Sequence, residues 1–133
     1  MKLLAVLFVI HGLISFGQSF GGFKPSTGTP NPAWMSWWPT NLGQSWLFEQ
    51  LGVTSRGAYA LTGVLWLLIA VGFVAAGAML FASPAKAAWA PIAAISAILS
   101  LVALGVYLHP WYTGAVLLNL GILAAAMTLS QPR

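Results

Sequence analysis

The chain has 133 residues, of which 59% are hydrophobic and only 5% carry a charge, and it contains no cysteine. Because a soluble domain carries roughly 25% charged residues, this composition predicts a single domain whose surface faces lipid. Disulfides and thiol chemistry are excluded, and five scattered basic residues against Glu49 are too few for a nucleic-acid-binding patch.

The first apolar run extends from about residue 3 to residue 20 and is long enough for a helix to cross a bilayer. A Met-Lys start before an apolar run is also typical of a signal peptide, but no small-x-small cleavage site follows cleanly and His11 interrupts the run. We therefore predict a membrane span.

His11 lies near the middle of this span, and Ser15 follows it by one helical turn on the same face. A polar ring is unfavourable in lipid, so we expect His11 to point into a helix bundle. There it could bind a quinone carbonyl, relay a proton, or ligate a haem or chlorophyll. The simpler alternative, which we favour, is a hydrogen bond to Asn119 or Ser100 that fixes helix register.

The first connection, residues 21–57, is the only part of the chain with loop composition. Because tryptophan prefers the headgroup level of a membrane, we predict that this connection is an interfacial cap with a short helix over residues 41–51. Glu49 and Arg56 could form an ion pair there, and Arg56 is placed to anchor the next span. Four of the seven tryptophans lie in the cap: Trp34, Trp37, Trp38 and Trp46.

Three further runs of about 20 apolar residues follow, over residues 58–82, 88–108 and 111–129. Membrane-barrel strands are about 10 residues long and alternate in polarity, so these runs predict helices. Ser83-Pro84 and His109-Pro110 separate them, and the second break is short enough to make the last two helices an antiparallel hairpin. Small residues recur at helix-packing spacing, which predicts close contacts at Gly72, Ala76, Gly77, Ala93, Ala97, Gly105, Gly121 and Ala125.

The distribution of basic residues weakly favours one orientation of the chain in the membrane. With four spans, Lys2, Lys86 and Arg133 share one side, and Lys24 and Arg56 lie on the other. Three against two favours cytoplasmic termini in a multi-pass protein of a bacterial inner membrane.

Catalytic side chains are scarce. A single carboxylate excludes an acid/base pair, and the absence of aspartate excludes a Ser/His/Asp triad. A metal site would need His11, His109 and Glu49, whose spacing matches no ligand pattern. His11 is roughly 13 Å from the outer end of its span, whereas His109 is at the outer end of the third, so a chain-internal bis-histidine haem is disfavoured.

We predict an interfacial cluster of His109, Trp111 and Tyr112 at the outer end of the bundle. Asn119 lies in the middle of the last span, where its amide needs a partner from another helix or a water.

The opening residues 3–14, which end in His11-Gly12-Leu13-Ile14, resemble the "HGLI" start of small four-helix bacterial membrane proteins of the DoxX-like kind. Arg56-Gly57 and the run from Gly63 to residue 70 are similar to their second helix, and Asn119 to an asparagine of their last helix. The resemblance extends over most of the chain in the arrangement of its helices, but only a few individual residues match. Members often carry a second histidine where this chain has Ser15.

The resemblance implies a four-helix membrane fold, in a family whose function is mostly unassigned. It also implies, through some relatives, a link to quinone or thiol redox complexes. The thiol link would require cysteine, which this chain lacks.

We therefore expect one integral membrane domain over residues 1–133, an all-α four-helix transmembrane bundle with a tryptophan-rich cap between helices 1 and 2. Its expected role is a non-catalytic accessory subunit of a larger membrane complex, with electron-transfer and photosynthetic complexes as candidates. Lipids and other membrane subunits are the expected partners. The alternative is a small redox protein that binds a quinone or lipid through His11, Ser15 and Asn119; a pigment is a further candidate ligand.

Overall fold

The computed structural model describes residues 1–23, 27–53, 55–83 and 88–129, and these residues fold into five α-helices. The four predicted long helices are confirmed, and each is long and apolar enough to cross a membrane. Within the described ranges the remaining regular structure is two 3₁₀ turns and an isolated β-bridge between Thr29 and Leu42. The helices are α1 (Lys2–Gly22), α2 (Trp46–Gln50), α3 (Arg56–Ala82), α4 (Trp89–Val106) and α5 (Thr113–Leu129).

Four residues used in the sequence analysis lie outside the described ranges. They are Lys24, Pro84, Lys86 and Arg133. The predicted break at Pro84 and most of the basic residues that define orientation therefore stay predictions.

The long helices pack in chain order: α1 lies along α3, α3 along α4, and α4 along α5. The first pair is antiparallel and approaches most closely where glycine removes the side chain. A Cβ on Gly12 would lie 2.9 Å from the carbonyl oxygen of Ala70, and one on Gly22 would lie 2.7 Å from the Cα of Gly63. Close backbone approach of this kind is what allows apolar helices to associate without a hydrophobic driving force.

Of the four glycines among the predicted small-residue contacts, two make close contacts and two do not, whereas the predicted Ala76, Ala93 and Ala97 are fully buried. A Cβ on Gly77 would meet the carbonyl oxygen of Ala5, and one on Gly72 would overlap the hydroxyl of Ser96. At Gly105 and Gly121 an added Cβ would meet nothing within 4 Å, so the prediction of close contacts there was wrong. Spacing alone did not distinguish the buried face of a helix from its outer face.

Buried aromatic side chains join the first three long helices. Phe8 of α1 lies 6.3 Å from Phe73 of α3 and 5.9 Å from Trp89 of α4, measured between ring centroids. All three side chains are fully buried. The core therefore contains large interlocking rings in addition to the small residues.

The ends of two elements differ from the sequence prediction. α4 ends at Val106 rather than near residue 108, and a 3₁₀ turn with Pro110 at its start leads into α5. The predicted helix over residues 41–51 is shorter, because Gly43 adopts a φ of +85° that a helix does not allow. It begins after Ser45, whose hydroxyl accepts a hydrogen bond from the Phe48 N–H.

Candidate functional site

His11 lies in the interior between α1 and α3. Its ring is buried and packs edge-on against Phe73, with 4.7 Å between ring centroids. This places the imidazole inside the helical assembly, as its position in the sequence predicted. A solvent-free ring of this kind needs polar partners from the protein.

Ser15 is also buried, but its hydroxyl does not extend the polar surface of the His11 ring. It donates to the backbone carbonyl oxygen of His11 at 2.9 Å, one turn back in the same helix. Such a bond satisfies the hydroxyl locally. Ser15 therefore shares the face of His11 and has its donor engaged within α1.

Asn119 is fully buried and joins α5 to α4. Its Nδ2 donates to the Ser100 hydroxyl at 3.1 Å and to the Ala115 carbonyl oxygen at 2.8 Å. Within the described residues, neither Asn119 Oδ1 nor His11 Nε2 makes a hydrogen bond of good geometry, although the two side chains are close enough to interact. The structure thus brings His11, Asn119 and Ser100 together in one buried polar cluster.

A second polar group lies at the end of the molecule where α4 passes to α5. His109 is buried; its Nε2 lies 2.9 Å from Asn31 Oδ1, and its Nδ1 accepts a hydrogen bond from the Trp111 N–H at 3.3 Å. Because Nδ1 accepts, the proton of the neutral ring is on Nε2, from which it is donated to Asn31. Burial lowers the pKa of His109, which favours this neutral form.

Aromatic rings surround His109 on two sides. Trp38 lies 6.3 Å away and Tyr112 6.0 Å away, both in edge-on arrangements. The Trp111 ring is 60% exposed and points away from the protein interior. The three predicted residues therefore lie together, with His109 and Tyr112 packed and Trp111 at the surface.

The segment over residues 27–53 is attached to the end of α4 by side-chain hydrogen bonds. Ser45 donates to the Val106 carbonyl oxygen at 2.8 Å, and Trp46 Nε1 donates to the Gly105 carbonyl oxygen at 2.7 Å. Both carbonyls lie in the last turn of α4, where the donors of a continuing helix are missing, and that of Gly105 also accepts from the Leu108 N–H at 3.4 Å. Ser45 and Asn31 were missed by the sequence analysis, since no periodic pattern marks a polar residue in a loop.

The other predicted cap residues are distributed over the surface of this segment. Trp34 and Trp37 are 69% and 68% exposed. Glu49 accepts a hydrogen bond from the side-chain amide of Gln44, and no ion pair with Arg56 is present in the described residues. Arg56 is the first residue of α3.

Metal ligands do not converge in the described part of the chain: no three His, Asp or Glu side chains there could bind one ion. His11 packs against the middle of α3, whereas His109 follows the last turn of α4. The two histidines belong to separate clusters, the interior cluster (His11, Ser100, Asn119) and the end cluster (Asn31, Trp38, His109, Tyr112).

Comparison with protein-family models, with curated proteins and with solved structures gives no match for this chain. The resemblance to DoxX-like proteins therefore stays a prediction based on a few positions.

Proposed function

We propose that the four long helices cross a membrane and that the 27–53 segment is an interfacial cap. Large apolar side chains cover the outer faces of the helices; Leu3, Leu61 and Leu117 are examples of highly exposed residues. In water such faces would associate, whereas lipid covers them without cost. The exposed rings of Trp34, Trp37 and Trp111 support placement of the cap at the headgroup level. We further propose that this membrane is a bacterial inner membrane and that both termini of the chain lie on its cytoplasmic side.

Within that membrane, we propose that the protein is a non-catalytic accessory subunit of a larger complex, with electron-transfer or photosynthetic assemblies as the candidates. The observation that carries this proposal is the structural use of its few reactive side chains. Both ring nitrogens of His109 make hydrogen bonds, Glu49 accepts from Gln44, and Ser15 bonds within its own helix. Groups engaged in this way stabilise the fold rather than turn over a substrate.

Gentle detergent extraction from the native membrane, followed by mass spectrometry and an absorption spectrum of the intact particle, tests the proposal. We expect the chain to be recovered in fixed ratio with other membrane subunits. An unrelated tagged four-span protein from the same membrane is the control for non-specific association. Recovery of the chain alone, at its own mass plus detergent, contradicts the subunit proposal.

A second candidate function rests on the interior cluster. Buried His11 Nε2 and Asn119 Oδ1, which lack well-formed hydrogen bonds among the described residues, could bind a quinone or another lipid-soluble carbonyl compound. The imidazole N–H would donate to a carbonyl oxygen, and the amide oxygen would accept from a quinol hydroxyl. This is the chemistry expected of a small redox protein in the membrane.

His11→Ala tests this second function. Organic extraction of the purified chain should yield quinone from the unaltered protein and none from the variant, while Ser15→Ala, which removes only a bond within α1, should retain it. Equal quinone content in all three proteins, or none in any, contradicts the redox proposal.

A further inference from the structure

A pocket of about 210 Å³ lies between the 27–53 segment and the end of α4. Trp38 and Trp46 line it from the segment, and Leu108, just beyond α4, lines it from the other side. Glu49 and Gln50 also line the pocket, and both are exposed. Because sites for drug-sized molecules begin at roughly 300 Å³, the ligand that fits here is a small molecule or a single chemical group.

The two tryptophan rings are fixed walls of this pocket. Both Trp38 and Trp46 are partly exposed, so a ligand can reach them. Trp46 Nε1 donates to the Gly105 carbonyl oxygen at 2.7 Å, which holds its ring against the end of α4. The Trp38 ring packs nearly at right angles against Trp37 and His109, with 5.6 and 6.3 Å between ring centroids. Since neither ring has to be ordered on binding, the aromatic surface is preformed.

The charge of the pocket is negative. Glu49 is the only acidic side chain of the protein, and none of the described residues that line the pocket is lysine or arginine. The carboxylate accepts a hydrogen bond from the Gln44 side chain, and with about four acceptor sites it can still receive a cation. An anion would be repelled by Glu49, whereas a cation is attracted both by a carboxylate and by the face of a tryptophan ring.

The walls of the pocket favour an organic cation over a metal ion. Calcium takes six to eight oxygen ligands, and magnesium keeps several waters that need polar surroundings. The pocket instead offers one carboxylate beside tryptophan, proline and leucine side chains. An alkylated ammonium group suits such walls, because its carbon atoms pack against apolar and aromatic surface while its charge interacts with the rings.

We propose that this pocket binds an organic ammonium cation, carried either by a soluble molecule or by a lipid headgroup. The alkylated nitrogen lies against the rings of Trp38 and Trp46, and Glu49 balances its charge. The inference depends on neither a partner subunit nor the interior cluster, so its failure would leave both proposed functions standing.

Fluorine NMR of the protein labelled with fluorotryptophan, in a maltoside detergent that has no ammonium group, tests the proposal. Titration with tetramethylammonium chloride should shift the signals of Trp38 and Trp46 and leave that of exposed Trp34 unchanged. Each signal is assigned by the single Trp→Phe substitution that removes it. Sodium chloride at the same ionic strength, and tert-butanol as a neutral molecule of the same shape, should shift neither signal. Equal shifts with tert-butanol, or none with tetramethylammonium, would overturn the proposal.

Two pairs of variants separate the contribution of the charge from that of the ring. Glu49→Gln should weaken tetramethylammonium binding roughly two- to fivefold, the effect of an exposed ion pair, whereas Glu49→Asp keeps the charge and should retain most of the affinity. Trp46→Phe and Trp46→Leu both lose the hydrogen bond to Gly105, so the difference between them isolates the aromatic ring, and the Phe variant should bind more tightly. Unchanged affinity in Glu49→Gln, or equal affinities in the two Trp46 variants, would contradict the proposed site.

Nanodiscs distinguish the two sources of the cation. If a lipid headgroup is the ligand, the trimethylammonium group of phosphatidylcholine competes, and tetramethylammonium should bind more weakly in phosphatidylcholine nanodiscs than in nanodiscs of a neutral galactolipid. Equal affinity in the two lipids assigns the pocket to a soluble cation.

Discussion

At the scale of single residues, Asn119 connects the interior of the protein across three helices. Its Nδ2 donates to the Ser100 hydroxyl of α4 and to the Ala115 carbonyl oxygen of its own helix, and its side chain lies close to His11 of α1. In an apolar interior each of these groups depends on the others, because no solvent replaces a lost partner.

We expect Asn119→Leu to destabilise the protein by about 1 kcal/mol, the upper part of the range measured for hydrogen bonds between membrane helices. The substitution leaves the Ser100 hydroxyl and His11 Nε2 without the amide. Thermal unfolding in detergent, followed by intrinsic tryptophan fluorescence, measures the change. Thr128→Val on the exposed face of the same helix removes a hydroxyl that binds only Ala124 and should have a smaller effect. Equal shifts in the two variants would contradict a special role for Asn119.

His109 makes stability depend on pH. Burial lowers its pKa in the folded state, so below the ordinary value of 6.5 the unfolded chain binds more protons than the folded one. A protonated ring would also place an N–H at Nδ1 against the N–H of Trp111. Stability should therefore be complete above about pH 6.5 and decrease as the pH falls below it.

The melting temperature at pH 7.5 and pH 5.5 measures this dependence. In His109→Gln, whose amide N–H can still donate to Asn31 Oδ1, the difference between the two pH values should be smaller than in the unaltered chain. His11 is retained in both proteins, so it cancels from the comparison. An unchanged pH difference in the variant would show that His109 does not titrate on unfolding.

At the scale of helices, the contact between α1 and α3 depends on paired glycines. Gly22 faces Gly63 backbone to backbone, which leaves no flexible side chain that could move aside for an added methyl group. Gly17, on the outer face of α1, has open space around it. The position of Gly22 therefore has no room for a side chain, whereas the position of Gly17 does.

Gly22→Ala should destabilise the protein by roughly 1–3 kcal/mol, because α1 and α3 must separate to admit the methyl group. Gly17→Ala should be neutral or stabilising by up to about 1 kcal/mol, since alanine has the higher helix propensity. Unfolding of both variants in the same detergent compares them directly. A destabilised Gly17→Ala, or an unaffected Gly22→Ala, would mean that the packing of α1 differs from that described.

The extent of the four long helices could be predicted from the sequence because apolar runs of about 20 residues have few alternatives to a membrane helix. The burial of His11 and Asn119 followed from the same argument. His109 and Tyr112 were predicted to lie together, but the contribution of Asn31 and Trp38 to the end cluster could not be predicted, because Asn31 and His109 are 78 residues apart and neither lies in a periodic pattern. Trp46 was predicted only as a residue of the cap, because the acceptor of its N–H, the Gly105 carbonyl oxygen at the end of α4, is brought to it only in the folded chain.

At the scale of the whole molecule, the absence of native cysteine makes topology directly measurable. Ser36 in the 27–53 segment and Ala88 before α4 are both exposed and lie at opposite ends of α3 along the chain. In intact cells, Ser36→Cys should react with a membrane-impermeant maleimide, whereas Ala88→Cys should react only after lysis. The reverse pattern would refute cytoplasmic termini, and reaction of both in intact cells would refute four spans.

The attachment of the 27–53 segment to the end of α4 also has a consequence for biosynthesis. Ser45 and Trp46 leave the ribosome about 60 residues before their acceptors at Val106 and Gly105, and Asn31 precedes His109 by 78 residues. The segment therefore cannot reach its final conformation until three of the four long helices have been made. Its folding therefore follows the completion of α4, and a nascent protein truncated before residue 105 would present this segment, without its attachment to α4, to the machinery that inspects new membrane proteins.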